Sequence, residues 1–435
     1  MKTKSLVLLV VLLVVSSSAS VFAAPFDPDT FVYVGGAGGP HTLDPAAAYD
    51  TASGEVIHQV YDNLFEYVGG NLDEIGPQIA TAVPTVANGL MSVDGRTIRV
   101  PIRKGVKFHN GAELTPEDVR YSFIRGMLAD TAGGPMWMFF EPLLGVQTMA
   151  EVIEMAGGSG DFAEISEVDP AILRKAHDLV AATIEVAGDD LVFHLVDAYP
   201  PFINILTKGG SWASILNKDW MVANGAWDGN PETWSNWYDV AVEEMTAYER
   251  ANGTGPFKLT VWDKSGGQVI LSRFDDYWQG PAKIKTAFIK YISELSTRQL
   301  MLRAGDADAI YVGQEDLPQT RLLPDVKVVE GLPQITNTVL FYSFTIPVQG
   351  NEDLVGSGKL DGKGIPSDFF ADVDVRKAFN YSFDYQAFLE EVAHGAGVTP
   401  KGPIPQSLPY VNPDQEYYTH DLTKAEEHFK KAFGG

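Results

Sequence analysis

A chain of 435 residues, 45% of them hydrophobic, can bury roughly two or three domains' worth of core and is too apolar to be disordered. The formal charge of −25 argues against nucleic acid and anionic membrane surfaces as partners; it reads first as a solvated acidic surface and permits weak attraction of cationic solutes. Cysteine is absent, which removes disulfides, thiolate metal sites, a thiol nucleophile and the lipidated cysteine that tethers many exported proteins.

The N-terminus has the form of a targeting segment. Lys2 and Lys4 precede an apolar run of about ten residues, Leu6 to Val15, too short to span a bilayer as an ordinary helix. Small residues follow, with Val21 and Ala23 suited to the −3 and −1 positions, so cleavage after Ala23 is expected. No later stretch is long and apolar enough for a span. The mature protein is expected to be free outside the cytoplasm, in a periplasm.

Thr30 to Val34 is a short strand pattern running into Gly35-Gly36-Ala37-Gly38-Gly39-Pro40. A dinucleotide fingerprint fails here, because His41 stands where a glycine is needed and Pro40 and Pro45 obstruct a helix opening from the turn. Gly54 to Glu66 carries an amphipathic helix pattern with Val56, Val60, Leu64 and Phe65 inward. Residues 76–90 are loop. Ile98 to Phe123 reads as strand, tight turn and helix. Ile98, Val100 and Ile102 alternate, and Pro101 favours a sheet edge. Gly111 serves the turn, Thr115 caps, Pro116 takes the first helical position, and Val119, Phe123 and Met127 face a core. Met136 to Phe140 is first a core run and second a pocket wall. Ala182 to Val196 is a hairpin turning at Gly188-Asp189-Asp190, with Leu191, Phe193 and Leu195 on one face.

Residues 212 to 237 hold five of the eight tryptophans, Trp212, Trp220, Trp227, Trp234 and Trp237, interleaved with asparagines. Rings beside amides suit a sugar or peptide site, but loop packing accounts for most of them, with Trp212 the best pocket candidate. Asn252 to Phe257 is a tight turn feeding the strand Phe257 to Trp262. Thr297 to Val312 is a helix ending at Gly305 and then a strand. Ile335 to Phe344 is strand-like, Asp374 to His394 reads as two helices with Asp384 capping the second, and Asp421 to Phe433 is a last helix. Among eight histidines none is paired at metal-ligand spacing, and neither HExxH nor G-x-S-x-G occurs. No catalytic constellation is present, so no enzyme, cofactor or metal is expected.

Several of these stretches resemble one family. IRKGVKFHNGAELTPEDV is similar to the signature "lR-x-G-V-K-F-h-x-G-x-x-l-T-a-x-D-V" of family 5 extracellular solute-binding proteins, the receptors of peptide-type ABC importers. Thr42-Leu43-Asp44-Pro45 resembles its "tLDP", Tyr61 to Phe65 its "vYDnLf", and Asn252 to Phe257 its "nGTGPf". Arg273 onward resembles its "r-n-x-x-Y-W-x-G", with Phe274 where asparagine is usual, and residues 374–405 and 421–433 resemble its later segments.

The resemblance implies an α/β, two-lobed periplasmic-binding-protein-like fold of type II, cluster C-like, with an inserted subdomain. It would place a signal peptide at 1–23, a discontinuous lobe I at 24–62 and 196–282, the insert at 63–195, and lobe II at 283–435. Family members continue well past residue 435, so lobe II is expected to be incomplete. The aspartate that takes a peptide's α-amino group lies in that later part, no residue here is assigned its role, and the chain alone is expected to bind poorly. The implied function is capture of a peptide-like solute between the lobes by a monomer, and delivery to permease subunits backed by ATPases. Ligand contacts are expected from Asp50, Ser53, Trp137, Gly210, Trp212, Phe274 and Tyr291. An oligosaccharide receptor of the same fold, favoured by the tryptophans, and a secreted hydrolase or chaperone are the alternatives.

Overall fold

The computed structural model describes residues 27–36, 38–69, 72–332, 334, 336–408 and 411–434; the expected signal peptide lies outside them. Among the described residues no helix is long and apolar enough to cross a membrane.

Strand β1 (Thr30–Gly35) sits in a five-stranded sheet with β8 (Phe257–Asp263), β9 (Gln268–Arg273), β10 (Thr286–Tyr291) and β11 (Ala309–Ile310), in the order β11-β1-β10-β9-β8. β1 runs parallel to β10, Thr30 opposite Thr286 and Gly35 opposite Tyr291, and parallel to β11. Parallel neighbours need a long crossover. The helix Leu295–Ala304 carries the chain from β10 past β1 to β11 and ends at Gly305 in the left-handed conformation. Both strands fall beyond residue 282, so the sheet crosses the lobe boundary expected there.

Two three-stranded sheets complete the framework. One has the order β3-β2-β7, from β2 (Phe65–Tyr67), β3 (Ile75–Pro77) and β7 (Thr207–Lys208). The other has the order β4-β6-β5, from β4 (Thr97–Pro101), β5 (Ile184–Ala187) and β6 (Asp190–His194). Pro101, which has no N–H to give, ends the edge strand β4. Gly188 takes the left-handed conformation in the β5–β6 turn. Leu191 and Phe193 are buried; Phe193 and the Phe139 ring both pack on Phe123 of helix α2 (Pro116–Ala129). That helix opens with a capping box: Thr115 Oγ1 accepts from Asp118 N, and Asp118 Oδ2 accepts from Thr115 N at 2.9 Å.

Helix α1 is Thr51–Val60, shorter than the expected Gly54–Glu66. What ends it is Asp62. This fully buried carboxylate accepts from Gln78 Nε2 at 2.9 Å, Thr254 Oγ1 at 3.0 Å, Trp278 Nε1 at 3.1 Å and Tyr277 OH at 3.3 Å, with Lys208 Nζ at 3.5 Å. Another helical turn would swing the carboxylate away from these donors, so the backbone leaves the helix and becomes β2. The expected strand at 335–344 does not form in its described part, 336–344. Among the described residues no strand pairs with it, and Phe341 is 90% exposed.

The remaining motifs lock onto one another. Asp44 meets Arg125 of α2 in a buried two-pronged pair at 2.5 and 2.6 Å. His109 N donates to Gly253 O at 2.8 Å and Asn110 N to Asn252 Oδ1 at 3.0 Å. The His109 Nε2 atom lies 3.0 Å from Gly255 O; a carbonyl only accepts, so Nε2 carries the proton and donates. The backbone of Gly253 lies so close to α1 that a Cβ would fall 2.1 Å from Val60 O.

Two expectations follow. Gly253→Ala should lower the unfolding free energy by about 1–3 kcal/mol or more, read as a reduced urea midpoint at unchanged m. Burial pushes the His109 and His58 imidazoles down from 6.5 to about 4, with the Lys208 charge adding to the effect at His58. The unfolded chain therefore takes up these protons first, and stability present above pH 6.5 is lost progressively between about pH 6.5 and about 4. His109→Gln, which retains an amide donor for Gly255, should flatten that slope in urea unfolding followed across pH.

Candidate functional site

In open α/β sheets the carboxyl ends of parallel strands border the ligand crevice. Here β1 ends at Gly35 and β10 at Tyr291, side by side. Rings lie along the glycines after β1: a Cβ on Gly39 would lie a tight 3.3 Å from the Tyr291 ring, and one on Gly36 would be in ordinary contact with that of Tyr311 at 3.7 Å. Tyr33 is two residues before Gly35 and on the same face of β1, with its ring 3.6 Å from where a Gly35 Cβ would be.

The start of α1 borders the same strand ends. Asp50 caps it, accepting from Ser53 N at 2.8 Å. Ser53 is fully buried and its hydroxyl accepts from His41 N at 2.9 Å and Thr42 N at 3.1 Å, which fixes the loop after β1. Glu55, half-buried, receives the Tyr291 hydroxyl at 3.5 Å and that of Tyr33. Burial pushes the Glu55 carboxyl up from its ordinary value, while the two phenols hold it down. Burial first, then the Glu55 charge, pushes the Tyr33 phenol up to about 12, and the same causes raise Tyr291.

A third element closes the other flank. Ser211 Oγ donates to Ala48 O at 2.8 Å, and Asn63 Nδ2 donates to Gly210 O at 3.2 Å. Gly210 must be glycine, since a Cβ would fall 2.0 Å from the Trp212 ring. That ring meets Tyr49 edge-on at 5.9 Å, and its Nε1 donates to Ile205 O at 3.0 Å. Tyr49 is 50% exposed.

Of the residues expected from the sequence, Asp50, Ser53, Gly210, Trp212 and Tyr291 are gathered around α1 and the strand ends. Phe274 is placed elsewhere. It is 4% exposed and packs edge-on to His109 at 5.0 Å, in the layer where the two longest motifs interlock. Trp137 opens helix α3 (Trp137–Leu144), 40% exposed, after Gly134 and Met136, which lie along Ala46. Tyr33, Tyr49, Glu55 and Tyr311 join the site without belonging to any motif. Only the alternation of Tyr33 with Gly35 marks any of them in the sequence. The other tryptophans are committed to packing. Trp227 stacks on Tyr121 at 5.9 Å, and the indoles of Trp227, Trp234 and Trp237 donate to the carbonyls of Asn230, Leu173 and Gly225. Among the described residues no group of His, Asp and Glu has a metal-holding arrangement.

The profile of bacterial extracellular solute-binding proteins, family 5, middle region, matches residues 74–433. The chain is 25% identical over 435 residues to the dipeptide-binding protein of Escherichia coli K12, covering 98% of this chain and 66% of that protein. It is 25% identical over 419 residues to heme-binding protein A of Haemophilus influenzae, covering 94% and 63%. Among solved structures it is similar to the periplasmic binding protein DppA of Helicobacter pylori in complex with the peptide STSA, with a TM-score of 0.62, 22% identity, and 92% and 65% coverage. The chain thus spans just under two thirds of the length of the curated relatives it matches. With its motifs interlocked as a scaffold and the family profile matched from residue 74 to residue 433, the chain belongs to the bacterial extracellular solute-binding proteins, family 5.

Proposed function

We propose that the protein is an extracytoplasmic receptor, a monomer without catalytic activity, that takes a peptide-like solute at the carboxyl ends of β1 and β10. A second lobe closes over the solute, and an ABC permease reads the closed form. The observation that carries this reading is two pairs of rings on a strand-and-helix base, the half-exposed Tyr49 edge-on to Trp212 and Tyr291 and Tyr311 against the glycine loop. Exposed main chain and rings suit a ligand recognised largely through its backbone. Relatives named for dipeptide binding and a neighbour solved with a peptide support the class.

The same reading divides the chain into a signal peptide at 1–23, lobe I at 24–62 and 196–312, an insert at 63–195, and lobe II from 313. The end of lobe I is moved from 282 to 312 because β10 and β11 pair with β1. An oligosaccharide is disfavoured because the indole N–H groups that would read hydroxyls donate to main-chain carbonyls at Trp212, Trp227, Trp234 and Trp237.

Against the expectation that the chain alone binds poorly, the rings proposed to meet the solute all lie within it, so native mass spectrometry of the purified chain should show a copurified mass that fragments into amino-acid residues; hexose-spaced fragments would overturn the assignment. Tyr49→Ala removes a half-exposed ring and should weaken tripeptide binding about tenfold by calorimetry while leaving the unfolding midpoint within error.

A further inference from the structure

The polar groups around the strand ends are almost all satisfied by the protein. Asp50 is used as a cap and the Ser53 hydroxyl accepts two N–H groups. The buried Arg298 guanidinium donates to the carbonyls of Ile292 at 2.6 Å, Ser293 at 2.7 Å and Tyr311 at 3.1 Å, so it is held by main chain and not by a carboxylate. Glu55 is different. Its carboxylate is half-buried and is met by neutral phenols only, Tyr291 at 3.5 Å and Tyr33. Among the described residues no lysine, arginine or histidine forms an ion pair with it.

A carboxylate drawn out of water without a counter-charge is unfavourable, and an incoming cation removes that penalty. The surroundings suit a cation as well. Tyr33 and Tyr291 are donors to Glu55 and can stay so while a positive group approaches a free lone pair. Tyr311, 54% exposed, stands beside Gly36 and offers a π face. The formal charge of −25 raises the local concentration of cations around the whole molecule.

We propose that Glu55, met by Tyr33 and Tyr291, receives a positively charged side chain of the bound solute, the ammonium of a lysine or the guanidinium of an arginine, so that the receptor selects basic peptides. This rests on the peptide-receptor reading above and narrows its substrate class. Glu55 is then a specificity residue of lobe I, on the same helix whose first turn fixes the glycine loop.

The test is calorimetric titration of the chain and of Glu55→Gln with Ala-Lys-Ala, with Ala-norleucine-Ala, whose side chain lacks the charge, and with N-acetyl-Ala-Lys-Ala. The expected result is a preference of about tenfold or more for lysine over norleucine in the unaltered chain. In Glu55→Gln that preference should fall to about twofold, and a cooperative urea transition reports that the variant is folded. Equal affinity for the lysine and norleucine peptides in the unaltered chain overturns the proposal, as does a preference that survives Glu55→Gln; in both cases the peptide-receptor reading stands. If Glu55→Gln abolishes the effect of acetylation instead, Glu55 holds the peptide's amino terminus and the side-chain assignment falls. If none of the three peptides binds, both readings fall together.

Discussion

Asp62 has no access to water, and a carboxylate in that position is tolerable only when the protein replaces the lost hydration with donors. The donors come from four separate places in the chain: Gln78 after β3, Lys208 in β7, Thr254 in the second long motif, and Tyr277-Trp278 after β9. Helix α1 has to stop where it does for the carboxylate to meet them. The glycines at 253 and 255 have to lack side chains for the motif carrying Thr254 to come close enough. The position of α1 is therefore set from below by one desolvated charge.

This separation of scaffold from site explains what could be read from the sequence. The capping box at Thr115–Asp118, the Gly188 turn and the Gly305 helix stop are local devices, each satisfied by residues within a few positions of itself, so composition and spacing reveal them. The motifs were visible by resemblance, while the contacts that join them, His109 to Gly255, Asp44 to Arg125 and Asp62 to Thr254, appear only in the fold. Non-local effects were not visible. The α1 periodicity continues through Leu64 and Phe65, both buried, yet the helix ends before them because Asp62 is needed elsewhere. Residues 336–344 alternate like a strand, but a strand also needs a partner, and a pattern does not supply one.

The site itself was half legible. Asp50, Ser53, Gly210, Trp212 and Tyr291 lie in or beside recognisable stretches, and they come together. Phe274 follows a motif just as closely and is buried beneath His109, because proximity in sequence to a motif places a residue with that motif's packing and says nothing of the crevice. Glu55 carries no signature at all. Its meaning comes from two tyrosines that reach it from strands more than twenty residues before it and more than two hundred after it.

The parallel pairing of β1 with β10 has a consequence for how the molecule is made. Thr30 pairs with Thr286, and Val32 N donates to the Asp308 carboxylate at 2.7 Å, 276 residues away in sequence. Contacts of such separation form late, because the loop between them must be closed before they return any free energy. The first strand of the chain therefore waits, unpaired in its final sheet, until most of the polypeptide has been synthesised.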